Sequence, residues 1–299
     1  MKSLFEGCGV AIVTPFKNGL IDYAGFYKII KKDIEKGAKA IIVLGTTGEG
    51  VSIVGHERED VIKFAKNVIG KKAKLIVGTG NNNFITCQEN TIMAKNLGAD
   101  GVLIVTPYYN KTTQKGLLEY YSKLAEIGIP IIMYNVPSRT GLNIDVETVK
   151  TLVDNDMIYG IKESSCDINR IIKLSQICKD NISLYSGEDN LNYVFYCLGA
   201  QGCISVTANV VADKVQQVYE LTKKGDFNKA LQIQNQLDEI NHAMFVETNP
   251  IPVKKFMSYI NLIDEEVRMP LVKAEEKTCS LLLKLAEKLK EKEIEEIYK

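Results

Sequence analysis

The chain of 299 residues is 45% hydrophobic and 25% charged, a globular composition with enough length for a large core. Lys plus Arg and Asp plus Glu both number 37, so bulk charge gives no attraction to nucleic acid or an anionic membrane. No apolar run approaches the roughly 20 residues of a membrane span, and the N-terminus has no secretory pattern. Seven scattered cysteines without a CxxC pair and only two histidines predict a reduced, cytoplasmic protein without a metal site.

Short apolar runs alternate with helical stretches along the chain. Predicted strands cover residues 9–14, 40–44, 75–79, 101–105, 131–135, 157–162, 182–186 and 202–206, and helices are predicted near 23–36, 57–69 and 86–97. The strand runs are continuously apolar, which is typical of parallel strands buried on both faces. We therefore predict an α/β fold, a (β/α)8 TIM barrel over 1–225 that carries the active site, with an open doubly wound sheet as the competing architecture. The chain is predicted to be helical from about 213, broken at 249–252 and 270, so 226–299 is assigned to a C-terminal helical extension.

A single lysine, Lys162, ends the sixth predicted strand, after the apolar Met157, Ile158 and Ile161. An ammonium loses its hydration in an apolar site, so a buried lysine gives up its proton more readily and becomes an amine nucleophile. Such an amine forms a Schiff base with a ketone. The alternative is a strand-end lysine that extends to solvent.

Loops at the strand ends are polar, and in a barrel these ends form the active site. The sequence GTTGEG at 45–50 has the outline of a P-loop, but Val51-Ser52 stands where the required lysine and hydroxyl residue belong. The sequence GTG at 78–80 begins a dinucleotide fingerprint whose third glycine is replaced by Asn83. Nucleotide binding is therefore rejected. Thr46 and Thr47 remain on a turn rich in backbone N–H groups, which either holds a carboxylate or is a plain structural turn.

Tyr109 and Tyr134 lie at or just beyond the fourth and fifth predicted strands, and Arg139 follows in the next loop. The tyrosines are either aromatic anchors or proton shuttles. Arg139 is either a surface charge or a bidentate clamp for a carboxylate.

Seven motifs together resemble the dihydrodipicolinate (4-hydroxy-tetrahydrodipicolinate) synthase family of pyruvate-dependent class I aldolases. They are GTTGE (45–49), TPYYN (106–110), YNVPSRTG (134–141), GIKES (160–164), SGED (186–189), ISVTANV (204–210) and NPIPVK (249–254). The resemblance extends over nearly the whole chain. The related N-acetylneuraminate lyases resemble it at the lysine and the hydroxyl loop, but they lack an arginine at the position of Arg139.

The resemblance implies a Schiff-base lyase that condenses pyruvate with L-aspartate 4-semialdehyde in lysine and diaminopimelate biosynthesis. Lys162 would form the imine with pyruvate, and Tyr134 would transfer protons above it. Thr47 would bridge Tyr134 to Tyr109, which the family supplies across a dimer interface, so a homodimer or a homotetramer is expected. No cofactor beyond the covalent imine, no metal, no nucleic acid and no membrane is implied.

The resemblance also assigns substrate contacts. Thr46 and Thr47 would hold the pyruvate carboxylate, and Arg139 the carboxylate of the second substrate. Gly187 and Ile204 would line the pocket through backbone groups.

Two other functions stay open: a related lyase that acts on a sugar-like 2-keto acid, and a non-catalytic barrel that senses a keto acid. The resemblance further implies a cleft where many family members bind inhibitory lysine. Gly55 and Arg58 stand in place of its histidines and Thr86 in place of its acidic residue, while Asn82 and Tyr108 are kept. Without a carboxylate for the lysine ammonium, and with Arg58 beside it, we expect weak or absent inhibition by lysine.

Overall fold

A closed ring of eight parallel strands organises the computed structural model, which describes residues 3–297, with side chains to residue 290. The strands are β1 (Gly7–Ala11), β2 (Phe16–Lys17), β3 (Leu20–Ile21), β4 (Ala40–Val43), β5 (Lys74–Gly78), β6 (Gly101–Val105), β7 (Ile131–Asn135), β8 (Gly160–Glu163), β9 (Ser183–Ser186) and β10 (Gly202–Ser205). All except β2 and β3 form the barrel, each pairing in parallel with its neighbours and β10 closing on β1. The predicted (β/α)8 barrel is confirmed.

Helices connect successive barrel strands and continue beyond β10. They are α1 (Tyr23–Glu35), α2 (His56–Ile69), α3 (Phe84–Asn96), α4 (Gln114–Ala125), α5 (Pro137–Thr140), α6 (Val146–Asp154), α7 (Ile168–Cys178), α8 (Asn192–Cys197), α9 (Ala208–Lys223), α10 (Phe227–Gln236), α11 (Asp238–Ala243), α12 (Ile251–Tyr259) and α13 (Glu276–Ile297). Within the described residues, none of these helices is long and apolar enough to cross a membrane.

Two predicted strands miss the observed limit by three residues at one end, because backbone groups find partners outside the sheet. The first strand ends at Ala11 rather than at 14, since the Val13 N–H donates to Asn209 Oδ1 of α9 at 3.0 Å. The sixth predicted strand begins at Gly160 rather than at 157, since the Met157 N–H donates to the Leu152 carbonyl and closes the end of α6.

The β2–β3 hairpin was not predicted, although the sequence contains a signal for it. Asn18 and Gly19 form its two-residue turn, and both have positive φ values, +54° and +78°. An Asn-Gly pair between short strands is typical of such a turn. The strands are only two residues long, too short for an apolar period to indicate them.

The alternation of side chains along β8 separates its two charged residues. Lys162 is paired in register with Tyr134 of β7 and Tyr185 of β9, and Tyr134 and Tyr185 belong to the apolar cluster inside the barrel. Glu163 points the opposite way and forms a 2.9 Å ion pair with Arg170 of α7. The barrel thus presents a lysine to its interior and buries a carboxylate against its helical shell.

The helical part of the chain begins at Ala208, five residues before the predicted start at 213. Helix breaks occur near both predicted positions: α11 ends at Ala243, α12 begins at Ile251, and α13 begins at Glu276. Residues 298–299 of the predicted extension lie outside the described residues.

Candidate active site

Lys162 and Tyr134 are in direct contact at the C-terminal ends of neighbouring strands. The Lys162 Nζ lies 4.3 Å from the centroid of the Tyr134 ring, and the two side chains are 5% and 8% exposed. A side chain that snorkels to solvent would show a far larger exposed fraction. The structure therefore has an amine in a nearly dry environment beside a phenol.

The backbone around this pair is held by a buried polar network. Both Glu163 carboxylate oxygens accept hydrogen bonds from Asn135 Nδ2, at 2.9 and 3.0 Å, and Oε2 also accepts from Arg170 Nε at 2.9 Å. The Ser165 N–H donates to Glu163 Oε1 at 2.8 Å. Because Asn135 follows Tyr134 and Glu163 follows Lys162, the network fixes the two strand ends relative to each other.

A cavity of about 300 Å³ opens next to this pair. Thr46, Tyr134 and Arg139 line it, so residues from three loops or strand ends meet there. Lys162 is not part of its lining, and Tyr134, whose ring the amine contacts, connects the lysine to the cavity. A volume of about 300 Å³ lies at the lower end of the range for small-molecule sites in proteins.

The buried Thr47 is bound to a residue from the distant helical extension. Asn249 Nδ2 donates to Thr47 Oγ1 at 2.9 Å, and the Asn249 carbonyl accepts from Arg139 Nη2 at 3.0 Å. In the described part of the chain, no hydrogen bond joins Thr47 to Tyr134. The structure thus connects Thr47 and Arg139 through Asn249.

Gly187 and Ile204 lie at the ends of the last two barrel strands. A Cβ added at Gly187 would approach within 1.9 Å of Ser164 Oγ and 2.8 Å of Lys162 Cε, so only glycine leaves space for the lysine. Ile204 is buried in the same interior cluster as Tyr134.

Tyr109 differs from the other predicted residues, because its side chain is 93% exposed and it does not line the cavity. Its φ of +68° lies in the left-handed region, which is uncommon for a bulky residue. A non-glycine residue in this region costs of order 1–3 kcal/mol and persists where the surrounding structure or a function requires it. Within one subunit, Tyr109 and Lys162 are not brought together.

A second contact from the helical extension holds the loop that carries Thr46 and Thr47. Lys254 of α12 donates to Glu49 Oε1 at 2.5 Å and to the Glu266 carbonyl at 2.8 Å, and the Lys254–Glu49 pair is fully buried. Burial lowers the pKa of Lys254 to about 8, although Glu49 opposes this shift. Arg268 donates its backbone N–H to Glu49 Oε2 at 2.8 Å.

Asn249, Lys254 and the Glu163 network were not predicted as functional. The signal for Asn249 and Lys254 was the NPIPVK motif at 249–254, whose residues received no role. Glu163 follows Lys162 directly, but its partner Arg170 can be recognised only once α7 is packed on β8. Among the described residues, no group of three or more His, Cys, Asp and Glu side chains is arranged to hold a metal ion.

Comparisons with known proteins agree over nearly the whole chain. The profile of the dihydrodipicolinate synthetase family matches residues 4–290. The chain is 43% identical over 288 residues to the 4-hydroxy-tetrahydrodipicolinate synthase of Fervidobacterium nodosum, which covers 96% of this chain and 99% of that protein. The structure of dihydrodipicolinate synthase from Aquifex aeolicus is similar with a TM-score of 0.93 and 38% identity, covering 96% of this chain and 98% of that one. The structure of DHDPS from Cyanidioschyzon merolae with lysine bound gives a TM-score of 0.91 and 30% identity, covering 95% and 98%.

Proposed function

Because the chain belongs to the dihydrodipicolinate synthetase family, we propose that it is a 4-hydroxy-tetrahydrodipicolinate synthase, which condenses pyruvate with L-aspartate 4-semialdehyde in lysine and diaminopimelate biosynthesis. The protein is a class I lyase, in which a lysine forms a Schiff base with the keto substrate. One observation carries the proposal: the Lys162 amine is buried at a barrel strand end and lies 4.3 Å from the ring centroid of Tyr134.

The residue types suffice for each step. The Lys162 amine adds to the keto carbon of pyruvate. The keto oxygen then leaves as water with one proton supplied by Tyr134, and a protonated imine remains. The imine withdraws electrons, so the pyruvate methyl group loses a proton and becomes an enamine carbon nucleophile. That carbon attacks the aldehyde carbon of the second substrate, whose oxygen takes up a proton. The amino group of the second substrate then displaces Lys162 from the imine carbon and closes a six-membered ring. No cofactor and no metal ion enters this sequence.

Proton transfer is assigned to Tyr134 and Thr47. The ring of Tyr134 contacts the Lys162 amine, and Tyr134 also lines the cavity. A phenol held by a hydroxyl can donate and accept a proton in turn. The link between Thr47 and Tyr134 is part of the proposal and forms when substrate is bound.

Two carboxylates must be held, one on each substrate. Thr46 and Thr47, with the backbone N–H groups of their turn, bind that of pyruvate, and the guanidinium of Arg139 binds that of L-aspartate 4-semialdehyde. Thr46 and Arg139 both line the cavity, which supports this division. Gly187 and Ile204 contribute backbone groups beside Lys162.

Tyr109 acts in the site of a neighbouring subunit. Tyr109 is 93% exposed and has a positive φ, a backbone conformation that a bulky residue retains where the surrounding structure or a function requires it. The proposal therefore requires a homo-oligomer, a dimer or a dimer of dimers, in which the relay through Thr47 is completed by the partner subunit's Tyr109.

The Schiff base is tested by incubating the protein with pyruvate, reducing with borohydride and mapping the modified peptide by mass spectrometry. We expect one pyruvate adduct, on Lys162, that is absent in Lys162→Ala. Lys254 is an internal control, because it is also buried and its pKa is lowered to about 8, but its amine is bound to Glu49 and the Glu266 carbonyl. An adduct on Lys254 alone, or no adduct in the folded protein, contradicts the proposal.

The second substrate is tested by turnover. Formation of the cyclic product from pyruvate and L-aspartate 4-semialdehyde is expected with the wild type and lost with Lys162→Ala. Arg139→Leu should raise the KM for the semialdehyde more than the KM for pyruvate, because only the second carboxylate depends on this guanidinium. Cleavage of a sugar-like 2-keto acid without condensation activity would assign the protein to the related lyases instead.

A further inference from the structure

Asn249, a residue of the helical extension, is hydrogen-bonded to the proposed relay. Its side chain is 5% exposed and donates through Nδ2 to Thr47 Oγ1 at 2.9 Å, and Thr47 is itself 3% exposed. In a site so nearly dry, water does not readily replace this donor. The hydrogen bond therefore controls how the Thr47 hydroxyl is used.

We propose that Asn249 is a positioning residue that sets the direction of the Thr47 hydroxyl proton. A hydroxyl carries one proton and two lone pairs. When one lone pair of Thr47 accepts from an amide N–H, the hydroxyl proton cannot point at that nitrogen, and it is directed to another acceptor. This inference depends on the proposed function, in which the acceptor is the Tyr134 oxygen after it has given up its proton to the substrate.

The oxygen of the Asn249 side chain, unlike its amide N–H, is not engaged by the described residues. Asn249 Oδ1 is buried and has no hydrogen-bond partner in the described structure. Asn241 Oδ1, also in the extension, is likewise buried without a partner in the part of the chain described, so the orphaned oxygen alone does not mark a functional residue. What distinguishes Asn249 is that its amide N–H donates to Thr47, a residue of the proposed relay.

The position of Asn249 is fixed by contacts on both sides. Its carbonyl accepts from Arg139 Nη2 at 3.0 Å, so the backbone at 249 contacts the proposed carboxylate clamp. Five residues later, Lys254 forms the buried pair with Glu49, which belongs to the same loop as Thr47. The loop and the extension are thus joined at two points, which holds the amide in register with the hydroxyl.

Two functions of Asn249 can therefore be separated by mutation. The bond to Thr47 uses the side chain, whereas the bond to Arg139 uses the backbone carbonyl and survives a change of side chain. Asn249→Asp keeps the shape but replaces the donor by an acceptor, which draws the Thr47 proton toward the carboxylate and away from Tyr134. Asn249→Ala removes the donor without adding a competing acceptor.

The decisive readout is the exchange of pyruvate methyl protons for deuterium, followed by NMR in D₂O without the second substrate. Exchange requires the enamine and therefore the relay, but not Arg139. We expect the exchange rate and kcat to fall ~10-fold or more in Asn249→Asp and less in Asn249→Ala. The KM for L-aspartate 4-semialdehyde should change by less than about threefold, since the backbone bond to Arg139 remains. The borohydride adduct on Lys162 should form in both variants.

A matched control is Asn241→Asp, since Asn241 is also buried in the extension and donates through Nδ2 to the Asp189 carbonyl at 3.3 Å. It should lower stability without slowing methyl exchange. The inference is overturned if Asn249→Asp exchanges protons as fast as the wild type. It is equally overturned if Asn249→Ala, which introduces no charge, is slowed as much as Asn249→Asp or leaves exchange unchanged. If the wild type formed no adduct on Lys162, the proposed function itself would be refuted. That outcome is distinguishable from a failure of the inference about Asn249, because it does not involve the variants.

Discussion

The buried pair between Lys254 and Glu49 gives a quantitative test of how the extension holds the active-site loop. The two side chains are 0% and 1% exposed and the Nζ–Oε1 distance is 2.5 Å. The Lys254 Nζ also lies 4.0 Å from the centroid of the Phe16 ring. With so little solvent, neither charge can be hydrated if the other is removed.

Lys254→Met should destabilise the protein by about 3–5 kcal/mol, the usual cost of leaving one buried charge without its partner. Among the described residues, the Arg268 backbone N–H would be the one hydrogen-bond donor left at the Glu49 carboxylate. The intact pair contributes far less to stability than its disruption costs, because burial outweighs the attraction of Glu49 and lowers the pKa of Lys254 from 10.5 to about 8. That shift corresponds to roughly 3 kcal/mol against the charged lysine. The double variant Lys254→Met with Glu49→Gln should therefore recover most of the loss.

The assay is urea-induced unfolding of the three proteins at one protein concentration, so that subunit association affects each equally. The pH dependence gives a second check. Between pH 8 and 10.5 the unfolded lysine binds more protons than the folded one, so the wild type gains stability as pH rises through this window and Lys254→Met does not. A single variant within about 1 kcal/mol of the wild type, or a double variant as unstable as the single, would refute the reasoning.

Three further outcomes are expected. Gly187→Ala should lose about 100-fold or more in kcat with unchanged circular dichroism, because its Cβ would lie 2.8 Å from Lys162 Cε; near-normal turnover would contradict the close packing. Asp33→Asn should stabilise the protein more at pH 8 than at pH 5, by about 2–3 kcal/mol, because the folded carboxyl keeps its proton to higher pH and the wild type therefore loses stability as the pH rises from 5 to about 7. Burial raises the pKa of Asp33 to about 7, so equal effects at both pH values, measured by thermal unfolding, would disprove this. Lysine should inhibit half-maximally only above about 1 mM, which corresponds to a binding free energy weaker than roughly −4 kcal/mol. The reason is that Arg58 and Thr86 stand where the family resemblance places a histidine and the acidic residue that would hold the lysine ammonium. Half-inhibition at a lower concentration in a rate assay would refute this.

Contacts between neighbouring strands of the barrel could be predicted from the sequence. Continuous apolar runs indicated eight buried parallel strands, and the barrel requires that their C-terminal ends meet at one rim. Lys162 is the last residue of its predicted strand, and Tyr134 is the last but one of the adjacent predicted strand. Their contact therefore follows from the strand order and from the register in which the two strands pair. Strand limits were less well predicted, because a partner such as Asn209, which takes the Val13 N–H, lies almost 200 residues away.

Apolar patterning and strand order were enough to predict the fold class and to single out Lys162 as a candidate nucleophile at a strand end. The roles proposed for the residues around Lys162 rest instead on the resemblance of the loop motifs to a known family. The side chains that support these residues became apparent only from the folded chain. Asn249 meets Thr47 across 202 residues, and Lys254 meets Glu49 across 205. No periodicity encodes such pairs, because each depends on the path by which the extension returns over the rim of the barrel and on the burial that makes a single hydrogen bond or ion pair decisive.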